Sequence, residues 1–221
     1  RLPPNWADIS KLYLPRAVNF IKKAGTIQEN EGGLAMTFDK EQIFLFPGET
    51  LTDIIFDKGI RFDIVKKEES IWCGALGYAA DLTAEPDIEG LLARYQALIS
   101  AEKRELVSPD WSGCLSIGYW PGGDVPRGIM FMQQVAAEEQ DKRYDLYKTP
   151  ASLYIRVHYD SAEIPEKLLG KEQCGVFELY GPIHELGEKN GYEALSPVSY
   201  EFEYYGSKSC YAYCAVKKKT A

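Results

Sequence analysis

The chain repeats itself. A shift of 82 positions sets Phe62-Asp63-Ile64 on Tyr144-Asp145-Leu146, Lys66 on Lys148, and Ser70-Ile71-Trp72 on Ser152-Leu153-Tyr154. Ile71, Cys73 and Ala75 fall on Leu153, Ile155 and Val157. Identities are few, but residue type is kept. Such a repeat predicts two copies of one supersecondary unit, each burying its apolar face against neighbouring structure.

Arg61–Val65 and Ser70–Gly77 read as extended chain. Pro86-Asp87 opens a helix in which Ile88, Leu91, Leu92, Tyr95 and Ile99 share one apolar face. Cys114–Trp120 and Gly128–Val135 read as strands joined by Pro121-Gly122-Gly123-Asp124, a turn signal. The order recurs. Tyr144–Tyr147 and Ser152–Tyr159 are extended, a helical region lies within Leu168–Lys189, and Val198–Tyr205 and Ser209–Val216 form a hairpin. Gly181-Pro182 fits poorly inside that helical region unless a helix begins or kinks there. The Asn190-Gly191 pair marks its end.

The expected class is therefore α+β: two strand–helix–strand–strand pseudo-repeats of antiparallel sheet, 60–137 and 142–219. Helices lie on one side, with a ligand cleft between the halves. Together they make a domain over 59–221, preceded by an extension or linker over 1–58. In that front section Ala7–Lys23 has a helical pattern broken at Pro15. Leu34–Phe38 and Gln42–Phe46 read as strands around Asp39-Lys40-Glu41.

The net charge is −8, which disfavours direct contact with a nucleic-acid backbone. The one basic run, Lys217–Lys219, reads as a solvated tail. The five scattered cysteines include no C-x-x-C pair, which suggests reduced thiols and a cytoplasmic protein. Only two histidines, His158 and His184, are available for a metal site or a catalytic triad, so no metal or cofactor is expected. No apolar run is long enough to span a membrane, and no membrane partner is expected.

Residues alternating away from the helix-covered face should line the cleft. Trp72, Trp120, Tyr154, Glu201 and Glu203 are read as meeting there. Tyr119, Met132 and Tyr213 complete the candidate set. A carboxylate among aromatic rings suits a cationic or amphipathic molecule, and burial would raise its pKa toward that of a general base. The plain alternative is that both glutamates point to water.

Arg61–Ile64 with its paired Tyr144–Leu146, the run Asn190-Gly191-Tyr192-Glu193, and Ser199-Tyr200-Glu201-Phe202-Glu203-Tyr204 together resemble the gyrase-inhibitor-like (GyrI-like) domain. That domain is also the effector-binding part of AraC-type and MerR-type transcription regulators. The likeness runs from about residue 60 to the end and departs from the pattern at Gly181-Pro182. It implies a multidrug-type effector domain in transcription regulation that binds a small organic molecule, a lipophilic cation among the candidates. It makes Glu201 the first choice for the pocket acid and Glu203 the second. DNA contact would come through a part outside this chain, and a homodimer is left open. The likeness also implies an alternative: a stand-alone hydrolase of reactive electrophiles, with Glu201 or Glu203 as base and Tyr154 or Tyr213 as hydrogen-bond donor. A third reading is a module that caps a protein partner such as a topoisomerase.

Overall fold

A computed structural model describes residues 44–99, 106–107, 111–118, 126–137, 140–159, 163–172, 174–206 and 210–220. The expected helix at Ala7–Lys23, the strand at Leu34–Phe38, the turn at Pro121–Asp124 and the candidates Tyr119 and Trp120 lie outside these residues.

Among the described residues ten strands form one antiparallel sheet. They are β1 (Glu49–Asp57), β2 (Ile60–Lys67), β3 (Ser70–Tyr78), β4 (Ser112–Ile117), β5 (Gly128–Val135), β6 (Asp145–Thr149), β7 (Ser152–Tyr159), β8 (Tyr192–Ala194), β9 (Tyr200–Tyr205) and β10 (Cys210–Lys218). The spatial order is β1-β2-β7-β10-β9-β4-β5-β3-β6, with β8 pairing β10 off that path. Among the described residues the helices are α1 (Ile88–Ile99), α2 (Glu163–Leu169) and α3 (Tyr180–Lys189), with a 3-10 turn at Val176–Leu179 leading into α3.

The order shows what the repeat builds. β3, β5 and β4 form one three-stranded sheet, and β7, β10 and β9 form its counterpart. Each copy lends its opening strand to the other: β2 pairs with β7, and β6 pairs with β3. The halves then join through β4 and β9, where Leu115 faces Phe202 and Cys114 faces Glu203. The architecture is the expected α+β one, and the sheet runs continuously across the seam between the halves. The helices cover one of its faces, and the cleft candidates must be sought on the other.

Local chemistry accounts for the helix ends. Asp87 caps α1: its Oδ1 accepts from Gly90 N at 3.0 Å and its carbonyl from Leu91 N at 3.0 Å. Pro182 lies in the first turn of α3, where its missing N–H costs no hydrogen bond, so the awkward Gly181-Pro182 pair starts a helix rather than interrupting one. Beyond the other end of α3, Gly191 takes a φ of +82° that lets the chain turn back into β8. The front section also joins the sheet. β1 pairs with β2 along its length, so the expected boundary near residue 58 falls in the turn of a hairpin. Phe44–Phe46, read as part of a strand, instead runs as irregular chain.

α1 covers Ala75, Cys114 and Phe131 with Tyr95 and its leucines. α3 covers Ile155, Ala212 and Cys214 with Tyr180, Ile183 and Leu186. The opposite face carries Val65, Trp72, Leu115, Met130, Met132, Tyr154, Phe202, Tyr204 and Tyr213. Among the described residues, no helix is long and apolar enough to cross a membrane.

Candidate functional site

Alternation along the strands sorts the candidates onto two faces. Trp72 on β3, Met132 on β5, Tyr154 on β7 and Tyr213 on β10 come together on the helix-free face. The rings of Trp72, Tyr154 and Tyr213 form, with Phe202 and Tyr204, one continuous and fully buried cluster that Met132 packs against. Phe202 stacks on Tyr213 at 4.2 Å and meets Tyr154 at 5.5 Å and Trp72 at 5.6 Å. Trp72 lies edge-on to Tyr204 at 5.9 Å. Such edge and offset contacts suit the ring quadrupole. The Trp72 indole N–H donates to Thr149 Oγ1 at 2.9 Å, which holds the ring across the β3–β6 pair.

Glu201 and Glu203 are not among these rings. Their neighbours Phe202 and Tyr204 take the aromatic face, so the two carboxylates point to the helices. Glu201 Oε1 lies 2.9 Å from His184 Nε2, and the Tyr180 hydroxyl donates to Glu203 Oε1. Both partners belong to α3. The expectation that these acids share a cleft with Trp72 and Tyr154 is corrected here. Sequence alternation separated Glu201 from Phe202 correctly, but matching that face to the one bearing Trp72 needed the register across the β4–β9 seam.

Burial pushes both acids up. Glu201 is fully buried, and the His184 and Ser199 hydrogen bonds offset only part of that cost. Glu203 is raised to about 7 by burial, against hydrogen bonds from Tyr180 and the Cys114 thiol. Cys114 and Tyr180 are themselves held well above their usual ranges, first by burial and then by the nearby Glu203. Tyr154, paired with these acids in the hydrolase reading, has its hydroxyl across the sheet.

The aromatic face carries other charges. Arg156 on β7 is 1% exposed. Its guanidinium contacts Glu49 Oε2 at 2.8 Å and Asp63 Oδ2 at 3.0 Å, and donates to Tyr213 Oη at 3.3 Å. It lies 5.0 Å from the Tyr211 ring. Lys67 Nζ is 3.7 Å from Glu49 Oε1 and 5.7 Å from the Trp72 ring centre. Burial lowers the Lys67 pKa, and Glu49 restores part of it.

Glu49 reaches this network from an arm that crosses the rings. Phe46-Pro47-Gly48-Glu49 forms a tight turn, with Glu49 N donating to Phe46 O at 3.0 Å. Gly48 has a φ of +79°, and proline before such a glycine is the type II arrangement. The Glu49 carboxylate also accepts from Phe46 N at 3.1 Å, and Arg156 donates to the Phe44 carbonyl. The arm thereby seats Phe46 against Tyr204 at 4.5 Å, Trp111 at 4.8 Å and Tyr211 at 5.6 Å. Phe46, Glu49, Trp111, Asp63 and Lys67 were not expected in the site. The Pro47-Gly48 pair and the charges placed in the apolar strands β2 and β7 were the available signals.

No protein-family model matches the chain, and no curated protein sequence matches it. Among solved structures it is similar to SAV2435 bound to tetraphenylphosphonium: 16% identity, TM-score 0.49, covering 71% of this chain and 93% of that one. It is similar to the C-terminal domain of EcmrR at 14% identity and TM-score 0.48, covering 72% and 98%. Against the EcmrR chain in a DNA complex, the match spans only 57% of that chain. A Listeria innocua hydrolase is similar at 10% identity and TM-score 0.39, covering 71% and 91%. What those proteins bind or hydrolyse is a property of theirs; the site of this chain rests on its own residues, a face of rings crossed by an arm and floored by a buried ion network.

Proposed function

We propose that this chain is a small-molecule-binding domain whose ligand lies on the aromatic face and whose role is effector sensing for a transcription regulator. The observation carrying this reading is the ring field itself. Trp72 and Met132 from one half meet Tyr154, Phe202 and Tyr213 from the other without a break at the seam. A ligand on that face touches both halves at once and can bias their relative packing, which is what a sensor needs. The acidic chain argues that DNA contact, on this reading, belongs to another part or partner. A hydrolase is not favoured, because Glu201 and Tyr154 sit on opposite faces.

The ligand is a compact hydrophobic molecule with an aromatic ring. The cation expected from the sequence depended on Glu201 or Glu203 lying among the rings, so the charge preference must come from the groups that share this face. Titration calorimetry with anionic, neutral and cationic naphthalene derivatives tests the reading. At least one should bind saturably, and Trp72→Phe, which keeps a ring but gives up part of its contact area, should weaken that binding by about 1 kcal/mol, roughly fivefold. If no ring compound of any charge binds, the proposal is wrong.

A further inference from the structure

We infer that the place held by Phe46 and Glu49 is a binding site for an aromatic carboxylate, occupied here by the chain's own arm. This rests on the aromatic face being the ligand face, and it names the ligand's chemistry. The arm presents two groups to the sheet, a ring and a carboxylate. The ring of Phe46 is 2% exposed and is met by Trp111, Tyr204 and Tyr211. The carboxylate of Glu49 accepts from Arg156 at 2.8 Å and lies near Lys67 at 3.7 Å. The receiving surface therefore joins an aromatic box to a guanidinium and an ammonium.

Arg156, Lys67, Tyr204 and Tyr211 stand on strands of the sheet and Trp111 lies just before β4, whereas Phe46 is carried by irregular chain and Glu49 is the first residue of β1. Arg156 stands on β7, held from the far side by Asp63 of β2 at 3.0 Å. Its fork is therefore already oriented for a second carboxylate, and planar forks recognise carboxylates with two parallel donors. Glu49 Oε1 lies 3.7 Å from Lys67 Nζ, longer than an ordinary hydrogen bond, so the internal carboxylate engages Lys67 only loosely. A free ligand, unconstrained by the turn at Pro47-Gly48, can place both oxygens on Arg156 and Lys67. A cation fits poorly, since it would lie beside two buried positive groups.

Binding by exchange has a specific signature. The ligand competes with the arm, so weakening the arm strengthens the ligand in proportion to the arm's lost occupancy. Titration calorimetry is run on the full chain with 2-naphthoate, 2-naphthalenemethanol and 2-naphthylmethylamine, which share one ring system and differ in charge. The expected order is naphthoate first, at least tenfold tighter than the alcohol, with the amine weakest. Phe46→Ala should tighten naphthoate about tenfold. Phe46→Leu, which keeps an apolar side chain in the box, should tighten it less and guards against a folding defect in the alanine variant. In the unaltered chain, naphthoate should increase amide hydrogen exchange at 45–50 while leaving β7 and β10 protected. Equal binding of the three compounds, unchanged affinity in both Phe46 variants, or unchanged exchange in the arm overturns this inference. Binding that is real but indifferent to charge and to Phe46 leaves the ligand-face reading standing; absence of all binding removes both.

Discussion

Glu203 shows how one buried residue links pH to stability. Its folded pKa is raised to about 7, from an ordinary value of 4.5. The folded state therefore holds a proton that the unfolded chain releases between those two values. Stability is fully present below the unfolded value and declines as pH rises through the folded one. A shift of this size corresponds to roughly 3 kcal/mol. Glu203→Gln keeps an acceptor for the Tyr180 hydroxyl and removes the charge. Urea denaturation should find it more stable than the parent at pH 8 by about 1–3 kcal/mol and close to it at pH 5. An equal effect at both pH values would show that the folded state gives up this proton as readily as the unfolded chain, so that its pKa is not raised. Arg156 gives the opposite case: Arg156→Met removes the cation shared by Asp63 and Glu49 and leaves them only Arg61 and Lys67, with an expected cost of about 3 kcal/mol in the same assay.

Among elements, α1 and α3 were unequally legible. The five-residue apolar face of α1 and its Pro86-Asp87 entry stood in the sequence, and the helix runs Ile88–Ile99. Asp87→Ala removes the acceptor for Gly90 N and should cost about 1 kcal/mol by thermal denaturation, with the sheet unchanged. α3 was harder to read. Its polar side chains His184 and Tyr180 are buried because two carboxylates in β9 receive them, and nothing within the helix indicates that pairing. Phe44–Phe46 reads as the end of a strand in the sequence because Phe44 and Phe46 alternate with Leu45. Its rings instead pack on Trp111, which precedes β4, and on Tyr204 of β9 and Tyr211 of β10.

For the whole molecule, the exchange of opening strands makes the halves interdependent. β2 completes the second half and β6 completes the first. Phe202 lies at the seam, opposite Leu115 and among rings from both halves. Phe202→Ala should cost about 3–5 kcal/mol and move far-ultraviolet circular dichroism and tryptophan fluorescence together in one denaturant transition. Two separated transitions would mean that the halves fold as independent units.

The repeat, most of the strands, the start of α1 and the sorting of side chains onto alternate faces follow from the sequence, because period-two alternation and turn chemistry act over neighbouring residues. Glu201 could be placed opposite Phe202 on that basis alone. Tertiary structure decided which of those faces meets Trp72, that the copies trade strands, and that Glu49 rather than Glu201 reaches the rings. Each of these depends on pairing between strands far apart in the chain, where a register change of one residue would turn every side chain over. The resemblance pointed to an acid among aromatic rings. The fold brings an acid, Glu49, to the edge of the rings from the start of β1, held by Arg156.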